Sequence, residues 1–184
     1  MSALALEVGD DAAHTGLKGP RAAEWLVAQG VAVPAGPNSW ERSPIGSTGS
    51  LLVARLGQTE FFLEEPPLEK HGGSALERIR SALAAEAAGV YPVLREDFAF
   101  RLSGEGVHDA LAQVCNVDFA RIYLDARPVI MTIMTGVAVL ALPEEIDGAR
   151  QYRFWCDPTF APCLSETLGA LVVECGGIIR GVAA

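Results

Sequence analysis

Leu102-Ser103-Gly104-Glu105-Gly106-Val107-His108-Asp109-Ala110-Leu111 is the stretch that decides the fold, because an earlier part of the chain repeats it. The earlier copy is Leu17-Lys18-Gly19-Pro20-Arg21-Ala22-Ala23-Glu24-Trp25-Leu26, and a leucine, a glycine, an acidic residue and a second leucine recur in register. In both copies the first glycine is followed by apolar residues at the spacing of an amphipathic helix. The sequence therefore predicts an internal duplication.

Strand patterns and a second helix follow each copy. In the first half, residues 51–56 and 60–63 are joined by Gly57-Gln58-Thr59, which predicts a hairpin. In the second half the strand patterns are residues 129–134, 137–142 and 152–156, with turn signals at Thr135-Gly136 and Asp147-Gly148. The helices that close the halves are predicted at about residues 74–88 and 162–173.

These patterns predict an α+β fold, a pseudo-twofold duplicated unit whose antiparallel sheets are covered by helices. The halves are assigned to residues 1–90 and 91–184, since Gly89 and Pro92 favour a break between them. Neither half buries much surface alone, so we expect one intertwined unit with a shared core. The segments before Gly16 and at about residues 34–50 are predicted to be loops, because turn-forming residues crowd the second of them.

The composition excludes several classes of partner. The chain has 184 residues, 14 of them basic and 23 acidic, for a net charge of −9, and 50% are hydrophobic. Because no basic block is present, neither a nucleic acid nor an anionic membrane surface is an expected partner. The longest uncharged run, residues 128–143, is too short to span a membrane, and the N-terminus shows no secretory signal. We therefore expect a cytoplasmic protein.

No spacing of nucleophiles or ligands identifies a reaction centre, so we assign no catalytic residue and no metal ligand, and cofactor-binding residues stay unassigned. His108 is expected on the solvent or partner side of its helix. The turn of residues 71–73 is expected to lead into a Ser74 helix cap, and an anion held by its backbone amides is the alternative. The four cysteines lack paired metal spacings and are expected to be buried thiols: Cys115, Cys156, Cys163 and Cys175.

Asp97 and Asp157 are the carboxylates to test for a chemical role, because each follows or precedes an apolar strand where burial would raise its pKa. The aromatic pairs suggest a different kind of site. Adjacent residues of a strand point to opposite faces, so a solvent-facing sheet would expose one aromatic ring of each pair unless a subunit covered it. The pairs are Phe61 with Phe62 and Phe154 with Trp155.

Four stretches together resemble the gamma subunits of heterotetrameric sarcosine oxidases, which are related to the folate-binding aminomethyltransferases, or glycine-cleavage T-proteins. The stretches are residues 16–26 continued by 34–40, Arg101-Leu102-Ser103-Gly104 leading into 109–112, Cys115-Asn116-Val117-Asp118-Phe119, and 152–161. The resemblance lies in the order of these motifs over most of the chain. Of the T-proteins' aspartate-x-serine-histidine segment only Asp97 is matched, and the P-loop of the related tRNA-modifying GTPases is absent.

The resemblance implies an accessory, non-catalytic subunit of a heterotetramer that oxidatively demethylates sarcosine or a related N-methyl amine and passes the one-carbon unit to tetrahydrofolate. FAD, FMN, NAD and tetrahydrofolate would then bind to larger partner subunits. This chain alone would bind none of them, and it carries no dinucleotide-binding glycine fingerprint. The alternative is a free-standing folate-binding or aminomethyltransferase-like protein. The amine substrate and the identity of the partners stay open.

Overall fold

A computed structural model describes residues 3–9, 12–45, 49–67, 74–85 and 88–181. The chain divides into two compact units: an N-terminal unit, Asp11–Glu96, and a C-terminal unit that combines Met1–Asp10 with Asp97–Ala184. In chain order the elements are β1 (Ala5–Val8), β2 (Ala13–Lys18), α1 (Ala22–Ala28), β3 (Ser39–Ile45), β4 (Gly49–Arg55), β5 (Glu60–Glu65), α2 (Ala75–Ala84), β6 (Tyr91–Val93), β7 (Phe98–Ser103), α3 (Val107–Val114), β8 (Ile130–Met134), β9 (Val137–Ile146), β10 (Ala149–Cys156), α4 (Ala161–Glu174) and β11 (Ile178–Gly181).

The N-terminal unit is an antiparallel sheet in the order β3-β4-β5-β2-β6, with α1 and α2 on one face. Alternate residues of the strands, such as Leu17, Val53 and Phe61, pack against Leu26 of α1 and Leu76 of α2. The residues between them, such as Phe62, point to the second face of the sheet and are also buried.

The C-terminal unit repeats this arrangement in the order β8-β9-β10-β7-β1-β11, with α3 and α4 on the helix-covered face. All strand pairs are antiparallel except β1 with β11, which is parallel. Phe100, Tyr152 and Phe154 are buried on the helix-covered face, whereas Arg101 and Arg153 point to the second face. Apart from β1, which is added to the C-terminal unit, both units follow the order β-α-β-β-β-α-β. The duplicated sequence predicts a strand, a helix, two or three strands and a helix in each half, and it misses the strand that follows the last helix.

Two equivalent glycines mark the same turn in the two units. Gly19 follows β2 and Gly104 follows β7, and both have positive φ, at 135° and 97°. A Cβ atom on Gly19 would overlap the carbonyl oxygen of Gly89, which leads into β6; on Gly104 it would overlap the carbonyl oxygen of Ala3, which leads into β1. The neighbouring strand therefore approaches the turn closely only because no side chain is present.

The structure confirms the α+β class with antiparallel sheets covered by helices. It also confirms the hairpins β4–β5 and β8–β9 and the Ser74 cap, whose Oγ accepts a hydrogen bond from the Glu77 backbone N–H at 3.0 Å. The first ten residues belong to the C-terminal unit, whereas the sequence pattern assigned them to the first half. The shared core and the boundary at residue 90 stay predictions.

Two segments predicted to be loops are strands, and for these the prediction is wrong. β1 and the first half of β2 precede Gly16, and β3 lies within residues 34–50. β1 is held by pairing with β7 and β11, which are far along the chain and leave no local signal. β3 contains Pro44, but it is an edge strand, where a missing backbone N–H is tolerated.

Replacing Gly104 by alanine is expected to lower the free energy of unfolding by about 3 kcal/mol or more, because the new methyl group meets the Ala3 backbone and the φ is unfavourable. The matched control is Gly106→Ala, which has a similar φ of 79° but no atom within 4 Å of the added Cβ, so it should cost about 1 kcal/mol. Urea unfolding midpoints measure both. Equal losses in the two variants would contradict the close approach of the strand leading into β1.

Candidate functional site

The C-terminal unit contains a cavity of about 370 Å³ between two glycine-containing turns. One wall is the start of α3, where Gly106 is the N-cap residue and supplies no side-chain cap. The opposite wall is the tight turn between β9 and β10, where Asp147 and Gly148 both have positive φ. Glu105, His108, Asp109 and Arg150 contribute charged or titratable side chains to the lining.

His108 joins this cavity to the core through a hydrogen-bonded tyrosine. Its Nε2 atom lies 2.5 Å from the hydroxyl oxygen of Tyr152, and that hydroxyl donates to the carbonyl oxygen of Phe119 at 3.3 Å. The tautomer of His108 sets the direction of its hydrogen bond to Tyr152: if the hydroxyl proton is directed to Phe119, His108 Nε2 is the donor. Burial raises the pKa of Tyr152, and the hydrogen bond and charge of Arg150 act in the opposite direction.

The cavity wall exposes more apolar than polar surface, and four side chains supply its polar groups. Arg150 supplies hydrogen-bond donors, Glu105 and Asp109 supply carboxylates, and the His108 ring adds its nitrogen atoms. Among the described residues that line the cavity, none is a serine, threonine or cysteine that could act as a nucleophile. Among the described residues, no group of three or more His, Cys, Asp or Glu side chains is placed to hold a metal ion.

A second polar cluster lies on the sheet of the N-terminal unit. His14 Nε2 lies 3.0 Å from Glu64 Oε2, and the two residues are only 8% and 2% exposed. The ring of Phe62 lies 5.4 Å from that of His14, and Arg80 donates to the His14 carbonyl oxygen at 2.5 Å. His14, Phe62 and Glu64 lie on the paired strands β2 and β5 and Arg80 lies on α2, so these contacts favour the observed register of β2 against β5.

Glu65, the neighbour of Glu64, performs a related structural task. Its carboxylate accepts hydrogen bonds from the backbone N–H groups of Ala75 at 2.9 Å and Leu76 at 3.1 Å, and from the Ser74 hydroxyl at 2.5 Å. The Glu65 carboxylate therefore accepts hydrogen bonds from N–H groups of the first turn of α2 that have no partner within the helix. Its negative charge also lies at the positive end of the helix dipole. Both Glu64 and Glu65 are buried, with only 2% of each residue exposed.

The structure places the other sequence candidates as follows. Asp157 is exposed and accepts hydrogen bonds from the backbone N–H and hydroxyl of Thr159, at 2.8 and 2.6 Å, and these bonds lower its pKa rather than raise it. His108 was expected on the solvent or partner side of its helix, and it is half-buried with its ring against Tyr152. His71 lies outside the described residues. Both members of each aromatic pair are buried, so neither pair provides the predicted hint of an interface.

The cysteines divide into two classes, which corrects the prediction that all four are buried. Cys115 and Cys156 are buried, whereas Cys163 and Cys175 are exposed near the two ends of α4. Burial raises the pKa of the Cys156 thiol from its ordinary value of 9.0 to about 11, and the charges of Asp157 and Asp97 add to the shift. Asp97 therefore has an electrostatic effect on the end of β10.

Sequence reasoning missed the exposed apolar side chains at the edges of the larger sheet. Met131 and Ile133 of β8 are 57% and 55% exposed, and they point to the second face of the sheet, away from the core residue Met134. β8 is an edge strand without a charged residue or a proline. Natural edge strands usually carry a charged residue or a proline that prevents pairing with another chain. The absence of both from the stretch Ile130-Met131-Thr132-Ile133-Met134 could have indicated an exposed apolar edge.

Comparisons with known proteins identify the fold. No protein-family model matches the chain, and no curated protein matches it. A structure of heterotetrameric sarcosine oxidase from Corynebacterium sp. U-96, in complex with pyrrole 2-carboxylate, contains a chain that is 20% identical, with a TM-score of 0.69 over 98% of this chain and 88% of that one. Glycine cleavage system aminomethyltransferase T from Bartonella henselae is 15% identical, with a TM-score of 0.71 over 98% of this chain and 48% of that one.

These similarities show a shared fold. This chain spans about half of the aminomethyltransferase and most of the matched oxidase chain. Among the described helices, none has the length and apolar character needed to cross a membrane.

Changing Tyr152 to phenylalanine removes the hydrogen-bond partner of His108 Nε2 and is expected to lower the free energy of unfolding by about 1 to 2 kcal/mol. Nitrogen NMR of the His108 ring should show the proton confined to Nε2 in the native protein and shared between both nitrogens in the variant. Tyr91→Phe, which alters a tyrosine that is 56% exposed, is the control and should change neither quantity. A wild-type ring protonated at Nδ1 alone would contradict the assigned hydrogen bond.

The raised pKa of Cys156 predicts a loss of stability in alkali. Between pH 9 and 11 the unfolded thiol ionises while the folded thiol keeps its proton, so the free energy of unfolding falls as the pH rises. In Cys156→Ala the pH slope over this window should be shallower by up to about 1.4 kcal/mol per pH unit. Urea unfolding at each pH measures the slope, and Cys175→Ala, at an exposed site, should keep the native slope. Identical slopes in all three proteins would disprove the assignment.

Proposed function

We propose that the chain is an accessory, non-catalytic subunit of a sarcosine-oxidase-like flavoenzyme, equivalent to the gamma subunit of the heterotetramer. The observation that carries the proposal is coverage: the fold match extends over 98% of this chain and 88% of one chain of a heterotetrameric sarcosine oxidase. The match to the aminomethyltransferase accounts for only 48% of that enzyme. A nearly whole-chain match supports a corresponding place in an assembly.

The surface of the C-terminal unit supports a protein partner. β8 presents an uncharged edge with Met131 and Ile133 exposed, and an edge of this kind is usually protected or covered. A subunit that covered it would remove apolar area from water and pair the free backbone groups of the strand. In this proposal the larger subunits bind FAD, FMN, NAD and tetrahydrofolate and oxidise sarcosine or a related N-methyl amine. This chain supplies a rigid, preformed surface in the cytoplasm.

A second candidate is a free-standing folate-binding or aminomethyltransferase-like protein. The TM-score of 0.71 to the aminomethyltransferase favours it, since that value is as high as the score to the oxidase. The net charge of −9 opposes it at long range, because the glutamate carboxylates of folate are anionic.

Affinity purification of the tagged chain from its native cells is expected to recover larger subunits that carry flavin. The purified material should show a flavin absorbance spectrum that is bleached by sarcosine or a related N-methyl amine. The tagged chain purified from a host without those subunits should be colourless and inactive. Recovery of the native chain without flavin would contradict the proposal.

Tetrahydrofolate distinguishes the second candidate. If the isolated chain binds folate, ligand at 100 times its dissociation constant stabilises the folded state by about 2.7 kcal/mol, and the unfolding temperature rises. The subunit proposal predicts no shift for the isolated chain at millimolar tetrahydrofolate. A concentration-dependent rise would favour the free-standing protein instead.

A further inference from the structure

A row of charged residues crosses four strands of the C-terminal unit. The strand registers place Arg180 of β11 opposite Glu7 of β1, Glu7 opposite Arg101 of β7, and Arg101 opposite Arg153 of β10. Residues directly opposite one another in a sheet point to the same face, so these side chains form one line on the second face. Their exposure falls along the line, from the exposed Arg180 to Arg153, which is 6% exposed.

The inner part of the row is occupied by interactions within the unit. Arg101 Nη1 lies 3.1 Å from Glu7 Oε2, and the guanidinium of Arg153 lies 4.8 Å from the centre of the Trp155 ring. The outer end is different. Within the described ranges, Arg180 makes no ion pair and no side-chain hydrogen bond, and three guanidinium groups share a row with one carboxylate. Arg180 therefore presents an exposed positive charge at the outer end of the row.

Within the described part of the chain, the outer side of the β11 backbone also has no neighbouring strand. β11 is the outer strand of the sheet, only β1 among the described strands pairs with it, and all four of its residues are exposed. Ile178 points to the same face as Arg180 and is 43% exposed, while Ile179 points to the helix-covered face, is 50% exposed and lies beside Gly169 of α4. An edge with free backbone groups and exposed apolar side chains accepts a further strand.

We propose that the outer edge of β11 is a docking site for an extended strand of a partner protein, which places a carboxylate opposite Arg180 and an apolar side chain opposite Ile178. The order of charges across the strands favours a carboxylate at this position. An acidic residue on the partner strand, opposite Arg180, would give alternating negative and positive charges from the partner through Arg180 and Glu7 to Arg101. Arg180 and Ile178 are two positions apart on one face, so the partner strand carries an acidic and an apolar residue two positions apart.

This inference names a docking surface for the proposed subunit, and it rests on that proposed function for the identity of the partner as a larger subunit. The recognition itself is a property of this chain. It can therefore be measured without the complex.

The experiment uses two short strand-forming peptides with the full-length chain. One has a glutamate two positions from a valine, and the other has glutamine in place of the glutamate. Backbone NMR titration is expected to show perturbation at β11 and β1 with the glutamate peptide and at least about tenfold weaker binding of the glutamine peptide. Raising the salt from about 0.1 M to about 1 M, where the Debye length falls from about 10 Å to about 3 Å, should weaken only the glutamate peptide markedly.

Variants of the chain separate the site from general electrostatics. Arg180→Glu is expected to weaken the glutamate peptide by about tenfold or more, because a carboxylate then faces a carboxylate. Arg121→Glu makes the same change in net charge at a side chain that is 88% exposed on the same unit, and it should leave binding unchanged. Equal effects of the two variants, equal affinity for the two peptides, or no perturbation at β11 would each overturn the inference.

The test is distinct from that of the proposed function. Failure of both peptides to bind would overturn the β11 site. It would not change the result of the affinity purification, which tests the proposed function. Selective binding of the glutamate peptide supports the site even if the native chain is purified without flavin. Both variants are first compared with the wild type by circular dichroism and thermal unfolding. If Arg180→Glu is unfolded, Arg180→Gln replaces it, with a smaller expected loss of about threefold or more.

Discussion

The close approach of a neighbouring strand to a glycine turn is the constraint on which both units depend. Each unit contains a strand, a glycine turn and a helix in succession (β2 and α1, β7 and α3). The backbone that leads into the neighbouring strand, β6 or β1, passes where a Cβ atom would lie on Gly19 or Gly104. In the N-terminal unit Gly89 also accepts a hydrogen bond from the Arg21 backbone N–H at 3.2 Å. The glycine in each leucine–glycine motif of the sequence repeat therefore meets a packing requirement: no side chain can be accommodated where the neighbouring strand passes. Both copies of the duplicated fold have this requirement.

The duplicated units satisfy this requirement with different segments of the chain. In the N-terminal unit β6, which follows α2 directly, lies beside β2. In the C-terminal unit the equivalent place beside β7 is occupied by β1, which comes from the start of the chain. Pairing across this sequence separation carries a larger loop-closure cost than a local pairing, and the buried side chains of Leu4, Leu6 and Val8 offset it.

Local sequence patterns predicted the parts of the fold that local contacts determine. The hairpins β4–β5 and β8–β9, the helix α4 and the Ser74 cap were predictable, because each depends on neighbours in the sequence. β1 was missed because its partners lie about a hundred residues away, and the pair His14 and Glu64 was missed because it spans 50 residues and requires the β2–β5 register. The His108–Tyr152 contact spans 44 residues and was missed for the same reason.

The position of β1 beside β7, where the N-terminal unit has β6 beside β2, also explains why β11 forms an edge of the larger sheet. β11 follows α4 as β6 follows α2, so the duplication would place β11 directly beside β7. Because β1 occupies that position, β11 is displaced by one strand and becomes the outer edge of a six-stranded sheet. The displacement places Arg180 of β11 in the same row as Glu7 of β1. It also leaves the outer edge of β11 exposed. One long-range pairing therefore completes the core of the C-terminal unit and creates the charged edge that a further strand would extend.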